Sequence, residues 1–134
     1  MGDLKDTPAG VLLTEDPAAD TEISYTTLYD YKIDLIRIPF VTDGTAANRT
    51  VTLTITVDSS IIYEVPISAV ITASTTAEIL FGENLPYTSV GDVRMVPLPH
   101  GLKLPRGSVI ATTTDLIETG DNFGAAVLFV EKLT

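Results

Sequence analysis

The chain has no cysteine and no tryptophan, a single histidine, and 8 lysines and arginines against 18 aspartates and glutamates. Each shortage removes a class of chemistry. Without cysteine there is no disulfide, no thiolate nucleophile and no cysteine-based metal site. His100 would have to serve as the base of any Ser-His-Asp arrangement, yet Pro99 and Gly101 set it in a turn and no Gly-x-Ser-x-Gly elbow occurs. An exposed loop histidine is the commoner state of such a residue, and one imidazole gives no basis for zinc. The formal net charge of −10 disfavours nucleic-acid phosphates and anionic membrane surfaces, which are bound by clustered cations. Gly-rich phosphate motifs are absent, since Gly120 to Gly124 lacks the required spacing, so no cofactor is expected. Apolar runs such as Ala125 to Val130 are strand-sized, far from the roughly 20 residues of a spanning helix. Met1 to Asp6 alternates in charge and does not resemble a secretory signal.

What the sequence does contain is β-strand patterning. From Thr50 to Val57 the chain alternates strictly, with Val51, Leu53, Ile55 and Val57 on one parity and Thr50, Thr52, Thr54 and Thr56 on the other. Successive strand side chains point to opposite faces, so the aliphatic set predicts a core strand and a second layer to cover it. The threonine set is unusual because it holds no charge, which makes it a candidate contact face.

Residues 1–22 differ from the rest. Asp3, Asp6, Glu15, Asp16, Asp20 and Glu22 outweigh Lys5, and Pro8, Gly10 and Pro17 interrupt any period. An extended acidic arm is expected there, followed by a domain over 23–134. Val11, Leu12 and Leu13 are its aliphatic exception. Buried on a neighbouring subunit or on their own domain, they would recover about 1.5 kcal/mol or more each.

Ile23 to Phe40 is rich in β-formers but changes parity between Leu35 and Ile36, which predicts a bulge, a bend or two successive strands. Pro39 predicts an edge or a strand end. Thr42 to Asn48 carries turn residues and would return the chain to the Thr50–Val57 strand as a hairpin partner. Short strands are further expected at 61–65, 77–81, 93–96, 108–114 and 124–131, with loops at 82–86 and 88–92 and a proline-rich corner at 97–107. About eight short strands without helical periodicity define an all-β fold, a two-sheet, jelly-roll-like β-sandwich with an extended N-terminal arm; a barrel is the structural alternative.

Two further constellations bear on ligands. Asp115, Glu118, Asp121 and Asn122 offer oxygen donors of the kind calcium takes, although their spacing is not that of an EF-hand and a solvated turn is the commoner reading. Tyr25, Tyr29 and Tyr31 share a parity and could form an aromatic platform for sugar rings; a half-buried ladder is the commoner reading here.

The run Val96-Pro97-Leu98-Pro99, with Leu102, Leu104-Pro105, Gly107, Ile110, Thr112, Thr114, Gly120-Asp121 and Leu128 to Glu131, resembles small virion proteins of tailed bacteriophages. Asn48-Arg49, Ile61-Ile62-Tyr63 and the Leu85-Pro86 loop fit as well. The resemblance spans roughly Ile33 to Glu131 and carries no catalytic residue. It implies a capsid cement or decoration protein on the virion exterior, made in the host cytoplasm, often trimeric, and bound to the major capsid protein or another virion protein. A tail, baseplate or receptor-binding component, or a carbohydrate-binding β-sandwich module, is the alternative.

Overall fold

The computed structural model describes residues 9–14 and 16–133. Among these residues twelve strands form two sheets. In chain order they are β1 (Ala9–Leu13), β2 (Ser24–Thr26), β3 (Asp30–Val41), β4 (Thr50–Val57), β5 (Ser60–Pro66) and β6 (Thr76–Gly82), then β7 (Thr88–Val90), β8 (Val93–Pro97), β9 (Lys103–Leu104), β10 (Val109–Asp115), β11 (Asn122–Phe123) and β12 (Val127–Leu133). The larger sheet has the order β1-β12-β3-β6-β8-β7, with β9 and β11 also pairing with β3; the smaller is β2-β10-β4-β5. The fold is therefore an all-β sandwich. The extra strands relative to the eight expected are pieces of two to five residues, too short to show a period.

The opening alternation behaves as its pattern requires. Val51, Leu53 and Ile55 are fully buried in one continuous apolar cluster that includes Ile36, Ile38, Phe40, Ile79 and Phe81 of the larger sheet. Phe40 and Phe123 stack with ring centroids 4.2 Å apart. β4 and β5 form a hairpin through Asp58 and Ser59, both at positive φ (50° and 66°), as a two-residue primed turn needs.

The parity change in the long β segment has two causes. The chain breaks between β2 and β3, which lie in different sheets, and β3 then carries a register shift where Phe129 faces Leu35 and Val130 faces Ile33. The skipped Asp34 turns Tyr31 and Ile33 inward before the bulge and Ile36, Ile38 and Phe40 inward after it.

Three expectations are corrected. β3 and β4 are not hairpin partners: residues 42–49 cross from the larger sheet to the smaller. Turn residues look alike in a hairpin and in a layer crossing, so composition did not separate them. Pro39 is not at an edge either, because β3 is the most paired strand of its sheet. Its missing N–H falls on the flank facing residues 124–126, where β12 has ended and β11 has not begun, so no ladder bond is lost. The chain passes close there. Gly124 N–H donates to the Pro39 carbonyl at 2.9 Å, and a Cβ on Gly124 would sit 2.6 Å from Pro39 Cγ. Residues 88–90, expected as loop, form β7 in a hairpin with β8.

Candidate contact surface

The outer face of the smaller sheet follows from register. Cross-strand pairs Thr113–Thr52, Ala111–Thr54 and Val109–Thr56 join β10 to β4, Asp115 faces Thr50, and Ser24 and Thr26 continue the rows on β2. On the other side Thr54 faces Glu64 and Thr56 faces Ile61 of β5. Thr50, Thr52, Thr54 and Thr56 are all half-buried by their neighbours on the face, with no second layer above them among the described residues. None of the four strands contains a lysine or arginine. The face is therefore a field of hydroxyls and methyls with two carboxylates, Glu64 and Asp115, beside a shallow hollow that Thr52, Pro66 and Thr113 also line. Thr54 Oγ1 donates to Glu64 at 3.4 Å.

Under one end of this sheet lies a charged staple that sequence reasoning missed. Arg49 is fully buried and donates through Nε and Nη2 to both oxygens of Asp121, each at 2.9 Å, through Nη2 to Asp43 Oδ1 at 2.9 Å, and through Nη1 to the Ala47 carbonyl at 2.8 Å. Asp121, also fully buried, accepts the backbone N–H groups of Asp43 and Glu118. Asp43 accepts those of Thr45 and Gly120. Asp20 N–H reaches the Asp121 carbonyl at 2.7 Å, so the staple also holds the N-terminal segment. Burial pushes the Asp121 carboxyl up, but the Arg49 guanidinium and two backbone N–H groups outweigh it and hold it below the usual carboxylate range. The N–H of Thr45 leads the groups that lower Asp43.

This corrects the reading of Asp115 to Asn122 as a solvated turn. Asp121 faces inward to a guanidinium, while Asp115 and Asn122 are exposed. No group of three or more potential metal ligands occurs among the described residues.

The tyrosines do not share a surface. Tyr31 is buried, Tyr25 is half-buried on β2, and Tyr29 is exposed between the strands, edge-on to Tyr31 with centroids 6.2 Å apart and with Lys132 over its ring. His100 is exposed in a turn, its Nδ1 3.7 Å from Glu83. Of the arm's aliphatic triplet, Val11 is 43% exposed and Leu12 packs against the core, as β1 runs antiparallel to β12 of its own chain; the Leu13 side chain lies outside the described residues. Among the described residues no helix is long and apolar enough to cross a membrane.

No protein-family model matches the chain, and no curated protein matches it. Among solved structures it is similar to infectious bursal disease virus Gx strain, at 13% identity and a TM-score of 0.44 over 92% of this chain and 30% of that one. It is also similar to nora virus, at 15% identity and 0.37 over 92% of this chain and 55% of that one. Latent PorU from Porphyromonas gingivalis matches at 9% identity and 0.48 over 95% of this chain and 13% of that one. Viral particles are thus among the matches, and the chain spans 13%, 30% and 55% of the length of the PorU, bursal disease virus and nora virus chains. At these scores and identities the likenesses set no role.

Proposed function

We propose that the chain is a non-enzymatic structural component of a virus particle, in its finer form a cement or decoration protein on the exterior of a tailed-phage capsid. The observation that carries this reading is the outer face of the smaller sheet. Its four strands present mainly threonine, serine and alanine side chains, with Glu64 and Asp115 and without a cation, and no layer of the described residues covers them. A face without cations has few charges to desolvate on contact, and its hydroxyls lose little when they find partners. The sequence resemblance supports the virion setting. In this reading the major capsid protein or another virion protein meets the threonine face, and Val11, on the open flank of β1, is available to a neighbouring subunit of a homotrimer.

Mass by light scattering, combined with antibody labelling of purified particles, tests the reading. A trimer together with label on the capsid shell is expected. A monomer found only outside particles would overturn it. The sugar-binding alternative loses its support, because Tyr31 is in the core and Tyr25 and Tyr29 share no open platform with it.

A further inference from the structure

We propose that the outer flank of β2 is a strand-addition site that takes an extended, lysine- or arginine-bearing segment of another protein. The inference stands apart from the virion reading, because it uses a strand edge and not the threonine face.

The backbone argument comes from alternation. Thr27 N–H donates to the Ser108 carbonyl at 2.9 Å and Thr112 N–H to the Ile23 carbonyl at 3.0 Å, and Tyr25 faces Ile110. Residues 23, 25 and 27 therefore spend their backbone groups on β10, and Ser24 and Thr26 turn theirs the other way. Among the described residues no hydrogen bond reaches those outward groups. The other end of the same sheet is closed off differently. On β5, Pro66 has no N–H, its carbonyl accepts the Tyr87 hydroxyl at 2.8 Å, and a register shift interrupts the strand near Ile61.

The flank of β2 borders a hollow of about 480 Å³ that Ser24 and Thr26 line together with Thr14, Asp16 and Pro17. An unpaired strand edge thus has room beside it. The groups on offer are main-chain N–H and C=O at strand spacing, which an extended main chain matches.

Charge selects the occupant. From residue 9 to residue 26 there is no lysine or arginine. Asp16 and Glu22 line the hollow, and among the described residues neither has a cation within ion-pair distance. Glu22 is held in place by Thr112 Oγ1 at 2.8 Å, Thr114 Oγ1 at 2.9 Å and Thr114 N–H at 3.0 Å, so its negative charge is fixed but not neutralised. A cationic side chain on the added strand would supply what the site lacks.

The test is an amide NMR titration of the full chain with two blocked peptides, one alternating lysine and valine, the other alternating glutamate and valine. The cationic peptide should shift resonances of residues 14–26 and slow amide exchange at Ser24 and Thr26, while the acidic one leaves both unchanged. Thr26→Pro removes an outward N–H without touching the bonds to β10 and should weaken binding about tenfold, the scale of one lost hydrogen bond. Asp16→Lys, at an exposed position, should abolish binding with an unchanged fold, and it serves if the proline variant does not fold. Shifts confined to other regions, equal response to both peptides, or full binding by Asp16→Lys would overturn the proposal.

Discussion

Replacing Arg49 by methionine keeps the length of its stem and removes its charge, and the structure fixes what is left behind. Asp121 would stay fully buried with two backbone N–H donors but no counter-charge, and the Ala47 carbonyl and one Asp43 oxygen would lose a donor. Breaking a buried ion pair from one side costs about 3–5 kcal/mol, against a stability of roughly 5–15 kcal/mol for a domain. A fall in melting temperature of about 10–20 °C follows for a chain of this length. Urea unfolding followed by far-ultraviolet circular dichroism measures the free-energy loss, and thermal unfolding the shift in melting temperature. Adding Asp121→Asn, which removes the orphaned charge and keeps an acceptor for one of the two backbone donors, should recover part of the loss. A pH series adds a signed test. The Asp121 and Asp43 carboxyls lie below their ordinary values in the folded chain. Their contribution is present above the unfolded carboxylate pKa of about 4 and disappears as pH falls through the lower folded value. In Arg49→Met the Asp121 carboxyl keeps its two backbone donors but loses the guanidinium that helped them offset burial, so acid should narrow the gap between variant and parent. A loss under about 1 kcal/mol, no recovery in the double variant, or a gap that widens in acid would refute the staple.

Other outcomes follow from the packing. Leu53→Ala, at a fully buried site on β4, should cost about 2–5 kcal/mol in the same urea assay. Gly124→Ala should cost roughly 1–3 kcal/mol by driving a methyl into Pro39, whereas Gly91→Ala meets no neighbour and pays only the strain of its positive φ. Removing residues 1–14 takes away β1, and hydrogen exchange at Leu128 and Val130 should speed up as their strand becomes an edge.

The parts of the fold that were legible are those in which side-chain type repeats with strand period. Thr50 to Val57 announced its inner and outer faces, and the parity change near Leu35 announced a bulge because one skipped residue reverses every later side chain. Layer assignment was not legible. The segment after Val41 has the composition of a hairpin loop, and only long-range pairing sends it to the other sheet. Pro39 misled for a related reason, since its cost depends on a gap between β11 and β12 that forms far along the chain. The staple was invisible because its partners, Arg49 and Asp121, are distant in sequence and each sits among ordinary turn residues. One signal was present: an arginine opening a strand whose next eight residues are uncharged is a charge in search of a partner.

The threonine face is the centre of the functional reading, and a double substitution addresses it directly. Thr52→Lys with Thr54→Lys places two cations on the face without touching the core, so the melting temperature should hold while contact across the face is lost. Co-sedimentation of labelled protein with purified particles is the measurement. The parent chain should pellet with the particles and the double variant should stay in the supernatant; equal pelleting of both would contradict a role for this face.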